Sequence, residues 1–386
     1  MKNGWQQKQI GDLCEVIAGQ SPEGKFYNAE GKGMPFYQGK KDFGEKFIET
    51  PTTWTTQTTK IAQEGDILMS VRAPVGPVNF ATEEVCIGRG LAAIRSGTEL
   101  NRDFLFYQLQ HLQPEIAGRE GAVFASINKS EIEGLPLAFV PLPEQQRIVG
   151  TLDEAFAGVA TAKANAEKNL QNARALFESH LQSVLTRRGK GWAEKPLASL
   201  CSLFVDSAHR TPKYQADGIP ALRPRDVVNG KLTLTEAARV SQKEYEIQSR
   251  RHRPAPGDIV YSRELSYGWA VILPESPCIC LSQGMCLFRP TPSLDSAFLL
   301  HVLNGPVGRE QALRAAVGAA HPHINLGDIK AYQIPFPSPG EQKLIARKLD
   351  AMLAETQHLE SIYQQKLAAL GALTKSLLHQ AFAGQL

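Results

Sequence analysis

Two stretches of this chain are copies of one another, and that repeat limits the fold more than any other feature. Residues 127–153 and 324–350 align at a constant offset of 197. Identical residues pair at Ile127/Ile324, Asn128/Asn325, Ile132/Ile329, Phe139/Phe336, Glu144/Glu341, Gln145/Gln342, Leu152/Leu349 and Asp153/Asp350. Upstream anchors pair at smaller offsets. Gly4-Trp5 matches Gly191-Trp192 at 187, Gly65-Asp66-Ile67 matches Gly257-Asp258-Ile259 at 192, and Cys86 and Gly90 match Cys280 and Gly284 at 194. A long repeat on one polypeptide means two similar structural units. Anchors that persist while the offset drifts mean a shared framework with loops of different length, and loops are where function concentrates. A chain of this kind is expected to bind a target with two parts.

Each copy ends in a strongly helical stretch. From about Pro143 to Arg188, apolar residues recur every three or four positions (Ile148, Leu152, Ala155, Val159, Ala162, Ala166, Leu170, Ala173, Phe177, Leu181, Val184). From Pro339 to Phe382 the series is Leu349, Met352, Leu359, Ile362, Leu367, Leu370, Leu373, Leu377 and Ala381. Spacing of this kind over six heptads predicts a coiled-coil seam. The prolines suit a helix start. Helices of roughly 44 residues would each be about 66 Å long at 1.5 Å per residue. Such helices need a partner stripe, and the simplest is each other, antiparallel, with a globular unit at each end of the rod and a pseudo-two-fold axis. The expected fold class is therefore α+β: two tandem globular α+β domains, each followed by a long helix. The division in chain order is 1–142, first globular domain; 143–188, central helix; 189–338, second globular domain; 339–386, C-terminal helix. Within the globular parts, 66–71 and 258–261 read as strands, and Asp103–Gln113 and Leu294–Leu303 as helices.

Composition narrows the class further. The chain has 386 residues, 42% of them hydrophobic, enough for ordinary cores. No apolar run reaches the 18 or so residues of a membrane span, and the first residues lack a signal-peptide core, so the cytoplasm is the expected compartment. Six cysteines are present, and Cys14/Cys201 and Cys86/Cys280 occupy matching positions. Matching framework cysteines read as small buried hydrophobes, and Cys278, Cys280 and Cys286 do not have zinc spacing. Net charge is only +3, yet residues 208–253 hold ten Lys/Arg against five Asp/Glu. That local excess fits either a phosphate-facing surface or a solvated face.

Catalytic motifs fail on inspection. Residues 19–25 imitate a phosphate-binding loop, but Phe26 stands where Ser or Thr should hold magnesium, and Pro22 removes a backbone N–H. Gly88-Arg89-Gly90 imitates a dinucleotide fingerprint without the helix that must follow. His321 and His323 are too few for a metal site. Serine-hydrolase elbows, zinc-protease helices and paired-cysteine motifs are absent, as are the tetrapeptide of amino-methyltransferases and a nuclease core. The expectation is a protein that is not an enzyme, with no cofactor and no metal of its own.

In their order, the duplicated signatures resemble one family. Residues 141–149 (Pro-Leu-Pro-Glu-Gln-Gln-Arg-Ile-Val) and 337–345 (Pro-Ser-Pro-Gly-Glu-Gln-Lys-Leu-Ile) open the helices. Residues 64–70 and 256–262 carry Gly-Asp-Ile strands, Ser126-Ile127-Asn128 and His323-Ile324-Asn325 close the domains, and 376–386 form a characteristic tail. The chain is thus similar to the specificity (S) subunit of type I restriction–modification systems along its whole length. That resemblance implies two target-recognition domains, each reading one half of a split DNA sequence. It also implies helices that act as a ruler and dock two methyltransferase (M) subunits for adenine N6 methylation. S-adenosylmethionine would then sit on the M subunits, and ATP and Mg on the restriction (R) subunits that add cleavage. The basic linker after the first helix has no counterpart after the second, so the two ends are not equivalent. The alternative from another class is a coiled-coil scaffold with two protein-binding heads.

Base reading in the major groove favours Arg and Lys on guanine and Asn and Gln on adenine. In the first domain the expected DNA-binding residues are Gln38, Lys40, Lys41, Arg72, Arg89, Ser126, Asn128 and Lys129. In the second they are His209, Arg210, Arg223, Arg225, Arg263, Tyr267, Gln283, His321, His323 and Asn325. Gln283 takes the place of Arg89 before the shared glycine. The plain alternative for Asn128 and Asn325 is turn capping.

Overall fold

The computed structural model describes residues 4–117, 126–187, 189, 191–208, 210–275 and 278–386. The Gly-Asp-Ile motif explains how each globular core is built. Gly65 and Gly257 have φ of +86° and +82°, a left-handed turn that a side chain would strain. The aspartate that follows is buried and accepts two hydrogen bonds from one arginine. Arg95 donates to Asp66 at 2.9 and 2.7 Å, and Arg289 donates to Asp258 at 2.7 and 3.1 Å. The other acceptor capacity caps the turn, from Gln63 N–H in one copy and Ala255 N–H in the other. The paired carboxylate holds each arginine's pKa above its usual value. The isoleucine then opens a strand buried on both faces, Ile67–Ser70 or Ile259–Ser262.

Those strands are central in two sheets of the same order, all antiparallel. In the first copy the order is Cys14–Ala18, Leu91–Ser96, Ile67–Ser70, Val78–Phe80; in the second it is Cys201–Asp206, Met285–Pro290, Ile259–Ser262, Ala270–Ile272. Alternation along the strand splits two cores. Ile67 and Met69 face a core with Phe104 and Phe106 of the helix Arg102–Ala117, whereas Leu68 faces a second sheet through Tyr37, Val85 and Ile87. Ile259 and Tyr261 face the helix Ser296–Asn304, and Val260 faces Leu222 and Met285. Burial pushes the matched Cys14 and Cys201 thiols up to about 12, and Cys280 likewise.

The long helices run Leu142–Thr186 and Pro339–Phe382. The expected end of the first at Arg188 lies outside the described residues. In space the chain forms two compact units, Met1–Glu167 with Gln365–Leu386, and Lys168–Gln364. Each long helix is therefore divided between them, which chain order alone does not convey. In unit 1, Ile148, Leu152 and Phe156 join the domain core together with Leu377, Leu378, Ala381 and Phe382. In unit 2, Phe177, Leu181 and Leu185 do so with Ile345, Ala346 and Leu349. The start of one helix meets the end of the other, which is antiparallel pairing within each unit. Arg174 reaches Glu360 at 2.7 Å on the same seam.

Two expected seam residues are misplaced. Ile362 and Leu373 are 42% and 45% exposed. The step from Ile362 to Leu367 is five residues, so Ile362 falls off a 3.6-residue stripe; Tyr363 and Thr374, one position on in each case, are the more covered residues.

Candidate nucleic-acid interface

Each unit brings three distant segments together at the end of its Ile67–Ser70 or Ile259–Ser262 strand. In unit 1, Ser70 Oγ donates to Arg72 O at 3.1 Å, Val71 N–H to Gly90 O at 2.9 Å, and Ile127 N–H to Val71 O at 3.1 Å. In unit 2, Ser262 Oγ approaches Glu264 O at 3.4 Å, Arg263 N–H donates to Gly284 O at 2.8 Å, and Ile324 N–H to Arg263 O at 2.8 Å. A single antiparallel bridge completes each junction, Arg72 with Ser126 and Glu264 with His323. The adjoining strands also correspond. Phe36 and Tyr37 pair in parallel with Cys86 and Ile87, as Ala221 and Leu222 do with Cys280 and Leu281. Gln38 therefore matches Arg223, and Arg89 matches Gln283.

In unit 1 the junction opens into two adjoining clefts. One is lined in part by Arg72, Arg89, Ser126, Asn128 and Lys129, the other by Gln38, Lys40, Arg72 and Arg89. Seven of the eight residues singled out in the first domain thus converge; Lys41 is exposed but lines neither cleft. Among the described residues no carboxylate lines either cleft. Arg72, Arg89 and Lys40 are exposed, with no ion pair to any described residue, and Lys129 is 3.5 Å from Glu133. Asn128 caps a short helix: its Oδ1 accepts Glu131 N–H at 3.0 Å while its own N–H donates to Glu131 at 2.8 Å. This is the capping alternative realised, on the cleft wall. Asn325 makes no such cap and donates to Asp328 at 3.2 Å.

Unit 2 sorts its residues differently. Arg225, Gln283, His321 and Asn325 are exposed, and His323 is half-buried. His209 lies outside the described residues. Four others are engaged by contacts within the protein. Arg263 is 9% exposed; its Nη1 donates to Ile324 O, and its Nε is 3.4 Å from Asp206. It is a buried counter-charge, placed inward because its position faces the core in the alternating pattern, as Val71 does in unit 1. Arg223 is folded back onto Asp226 by two hydrogen bonds of 2.9 Å, which hold its pKa high. Arg210 donates at 2.7 Å to the buried Glu244. Burial alone would raise the Glu244 pKa, but hydrogen bonds from Gln248, Lys213 N–H and Arg210 keep it low. Tyr267 packs against the core, and its carbonyl accepts Arg309 at 2.7 Å. Glu264, which occupies the position of Arg72, is not among the residues singled out by type. The offset of 192 shared by Ser70/Ser262 was the signal that could have found it.

Two copies of one framework, each presenting a polar junction built from three segments, define a tandem recognition protein. The family model described as type I restriction modification DNA specificity domain matches residues 2–171 and 189–368. The chain belongs to that family. Among curated relatives, it is 42% identical over 152 residues to the type I restriction enzyme MjaX specificity subunit of Methanocaldococcus jannaschii, covering 38% of this chain and 36% of that one. It is 24% identical over 313 residues to the EcoBI specificity subunit of Escherichia coli, covering 74% and 66%. These alignments therefore span less than two thirds of either relative's own length. Among solved structures, a chain from work on complex assembly and conformational transition of the type I R–M system superposes with a TM-score of 0.82 at 18% identity, over 100% and 99% of the two chains. The HsdS subunit from Thermoanaerobacter tengcongensis gives 0.61 at 19% identity, over 100% and 98%. At these identities the likeness concerns fold. Among the described residues, no helix is long and apolar enough to cross a membrane.

Proposed function

We propose that this chain is the DNA sequence-specificity subunit of a type I restriction–modification complex, with each globular domain reading one half of a bipartite duplex target. The observation that carries the reading is the unit 1 junction, where Arg72, Arg89, Lys40 and Lys129 converge with no acidic lining residue among those described. Such a surface attracts phosphates, and its Gln38, Ser126 and arginine side chains are base-edge readers of the usual kind. The subunit itself is not catalytic. Two M subunits would dock on the helical pair and bring S-adenosylmethionine for adenine N6 methylation; R subunits, with ATP and Mg, would add cleavage. The site of action is the cytoplasm. An apolar cleft in unit 1, lined by Phe106, Tyr107, Phe156, Leu367 and Leu370 and edged by charges of both signs (Lys46, Lys163 and Lys375; Glu45 and Asp153), suits a protein partner.

The test is co-purification with the methyltransferase subunit, followed by single-molecule mapping of methylated adenines in a host expressing both. A bipartite motif is expected. Absence of both complex formation and salt-sensitive DNA binding would sink the reading in favour of a protein-binding scaffold.

A further inference from the structure

The two junctions carry opposite charge at one equivalent position. Arg72 and Glu264 each follow the shared serine by two residues, each offers its carbonyl to that serine's hydroxyl, and each forms the bridge to the segment 126 or 323. The backbone presents both side chains from the same point of the framework. Arg72 is exposed, and the Glu264 side chain is 34% exposed.

Glu264 has one cation nearby and makes no hydrogen bond with it. Arg263 Nη2 lies 3.9 Å from its Oε1, a distance that lowers repulsion from a nearby polyanion without consuming the carboxylate's acceptor capacity. Asp206, at 3.4 Å from Arg263 Nε, already supplies a buried counter-charge to that arginine. The carboxylate lies over Gly284, where an added Cβ would come within 3.0 Å of Glu264 Oε2, beside the exposed Gln283. The residue after it, Leu265, is 59% exposed and has φ of +56°, a conformation that L side chains rarely adopt. Strain of this kind persists where the surroundings over-determine the backbone and is found at ligand contacts. Leu265 N–H is tied to Pro322 O at 3.0 Å, which fixes the corner.

We propose that position 72/264 is a specificity-determining residue with reversed meaning in the two domains: Arg72 selects guanine, and Glu264 selects cytosine, at the equivalent step of each half-site. Arginine donates to guanine O6 and N7; a carboxylate accepts from the cytosine N4 amino group. The two domains would then read the same step as G·C and C·G. This inference rests on the proposed function above.

The complex with its methyltransferase subunit is used for the test, with methylated adenines mapped genome-wide by single-molecule sequencing. Wild type must give a bipartite motif; without one, the parent reading itself fails. Given that motif, Glu264→Arg is expected to change one base of the unit 2 half-site from C to G and leave the other half untouched. Arg72→Glu should make the reverse change in the other half. Glu264→Gln, which preserves shape, should relax discrimination at that single base by roughly 5- to 150-fold. An unchanged motif in Glu264→Gln and Glu264→Arg overturns the proposal and makes Glu264 a neutraliser of Arg263, with lowered thermal stability as its only effect. Uniform loss of methylation at every sequence in folded variants overturns it as well, because a base reader alters which sequences are chosen.

Discussion

Gln145 is fully buried near the start of the first long helix, and its amide is completely engaged. It accepts Asn101 N–H at 2.7 Å and donates to Glu99 O at 3.0 Å and Val140 O at 2.7 Å. Gln342 repeats the arrangement with Asp295 N–H, Ser293 O and Pro337 O at 2.8, 3.2 and 2.9 Å. This is why the Glu-Gln pair recurs: the glutamine fastens the long helix to the loop before the domain helix. Gln145→Leu strands three buried backbone groups, each costing about 1–3 kcal/mol, so a loss of about 3 kcal/mol or more is expected in the unit 1 transition of a denaturant melt. His111 supplies a pH-dependent term in the same unit. Burial first, and His379 at a ring separation of 5.7 Å second, push its pKa below 6.5, partly offset by Glu115. The unfolded chain then binds the proton more tightly than the folded one. Stability is fully present above pH 6.5 and is lost as the pH falls through that value toward the depressed folded one. His111→Phe should flatten the dependence of the unit 1 melting temperature between about pH 7.5 and 5, and an unchanged slope would refute the assignment. These contacts join residues far apart in the chain, as does the pairing of Arg263 with Asp206; Arg223, by contrast, is held by Asp226 only three residues on. An arginine looks the same on the page whether it faces a phosphate or, like Arg263, a carboxylate such as Asp206 from a strand far upstream.

The helices were the most legible elements, because a 3.6-residue apolar period is a local property. The strands at 67–70 and 259–262 were visible as apolar runs bounded by Gly-Asp turns. The phase of the seam was less visible: exposed Ile362 and Leu373 are more apolar than the more covered Tyr363 and Thr374 beside them, so residue type pointed to the wrong positions and the geometry of the turn decides. Two alanines of the first helix, Ala166 and Ala173, are buried. Ala173 is 8% exposed and adjoins Arg174, whose guanidinium crosses to Glu360 at 2.7 Å. Ala173→Leu must force the seam apart or the side chain off its rotamer, at about 1–3 kcal/mol. Leu176→Ala, at a position 67% exposed, should change stability by no more than about 0.5 kcal/mol. Circular-dichroism melts of the two variants side by side separate seam from surface; equal effects would show that Ala173 does not lie on it.

At the scale of the whole chain, the repeat predicted two related units, but not that each takes part of both long helices; that division depends on which helix end closes which core. Net charge was equally uninformative. A total of +3 conceals an acid-free cluster in unit 1 and a unit 2 junction where Arg225 is exposed while Arg210, Arg223 and Arg263 are held by Glu244, Asp226 and Asp206. Within residues 208–253, Arg210 and Arg223 are thus paired to carboxylates, whereas Lys213, Arg225, Lys231, Lys243, Arg250, Arg251 and Arg253 are exposed, so exposed positive charge is found in both units. Counterion release makes that distribution measurable, since the slope of log K against log salt is about −0.9 for each phosphate neutralised. Arg89→Ala is expected to reduce the magnitude of the slope by about 1, as loss of a phosphate contact does, whereas Arg72→Ala should hold the slope and relax the motif at one position, as loss of a base reader does. Arg225→Ala is expected to behave as a phosphate contact. Arg263→Ala should leave both slope and motif intact while lowering stability by about 1–3 kcal/mol, through loss of its hydrogen bond to Ile324 O and its ion pair with Asp206. A fall in slope for Arg263→Ala equal to that for Arg89→Ala, in titrations between 50 and 200 mM salt, would return Arg263 to the DNA face and reverse the inside–outside assignment of the unit 2 junction.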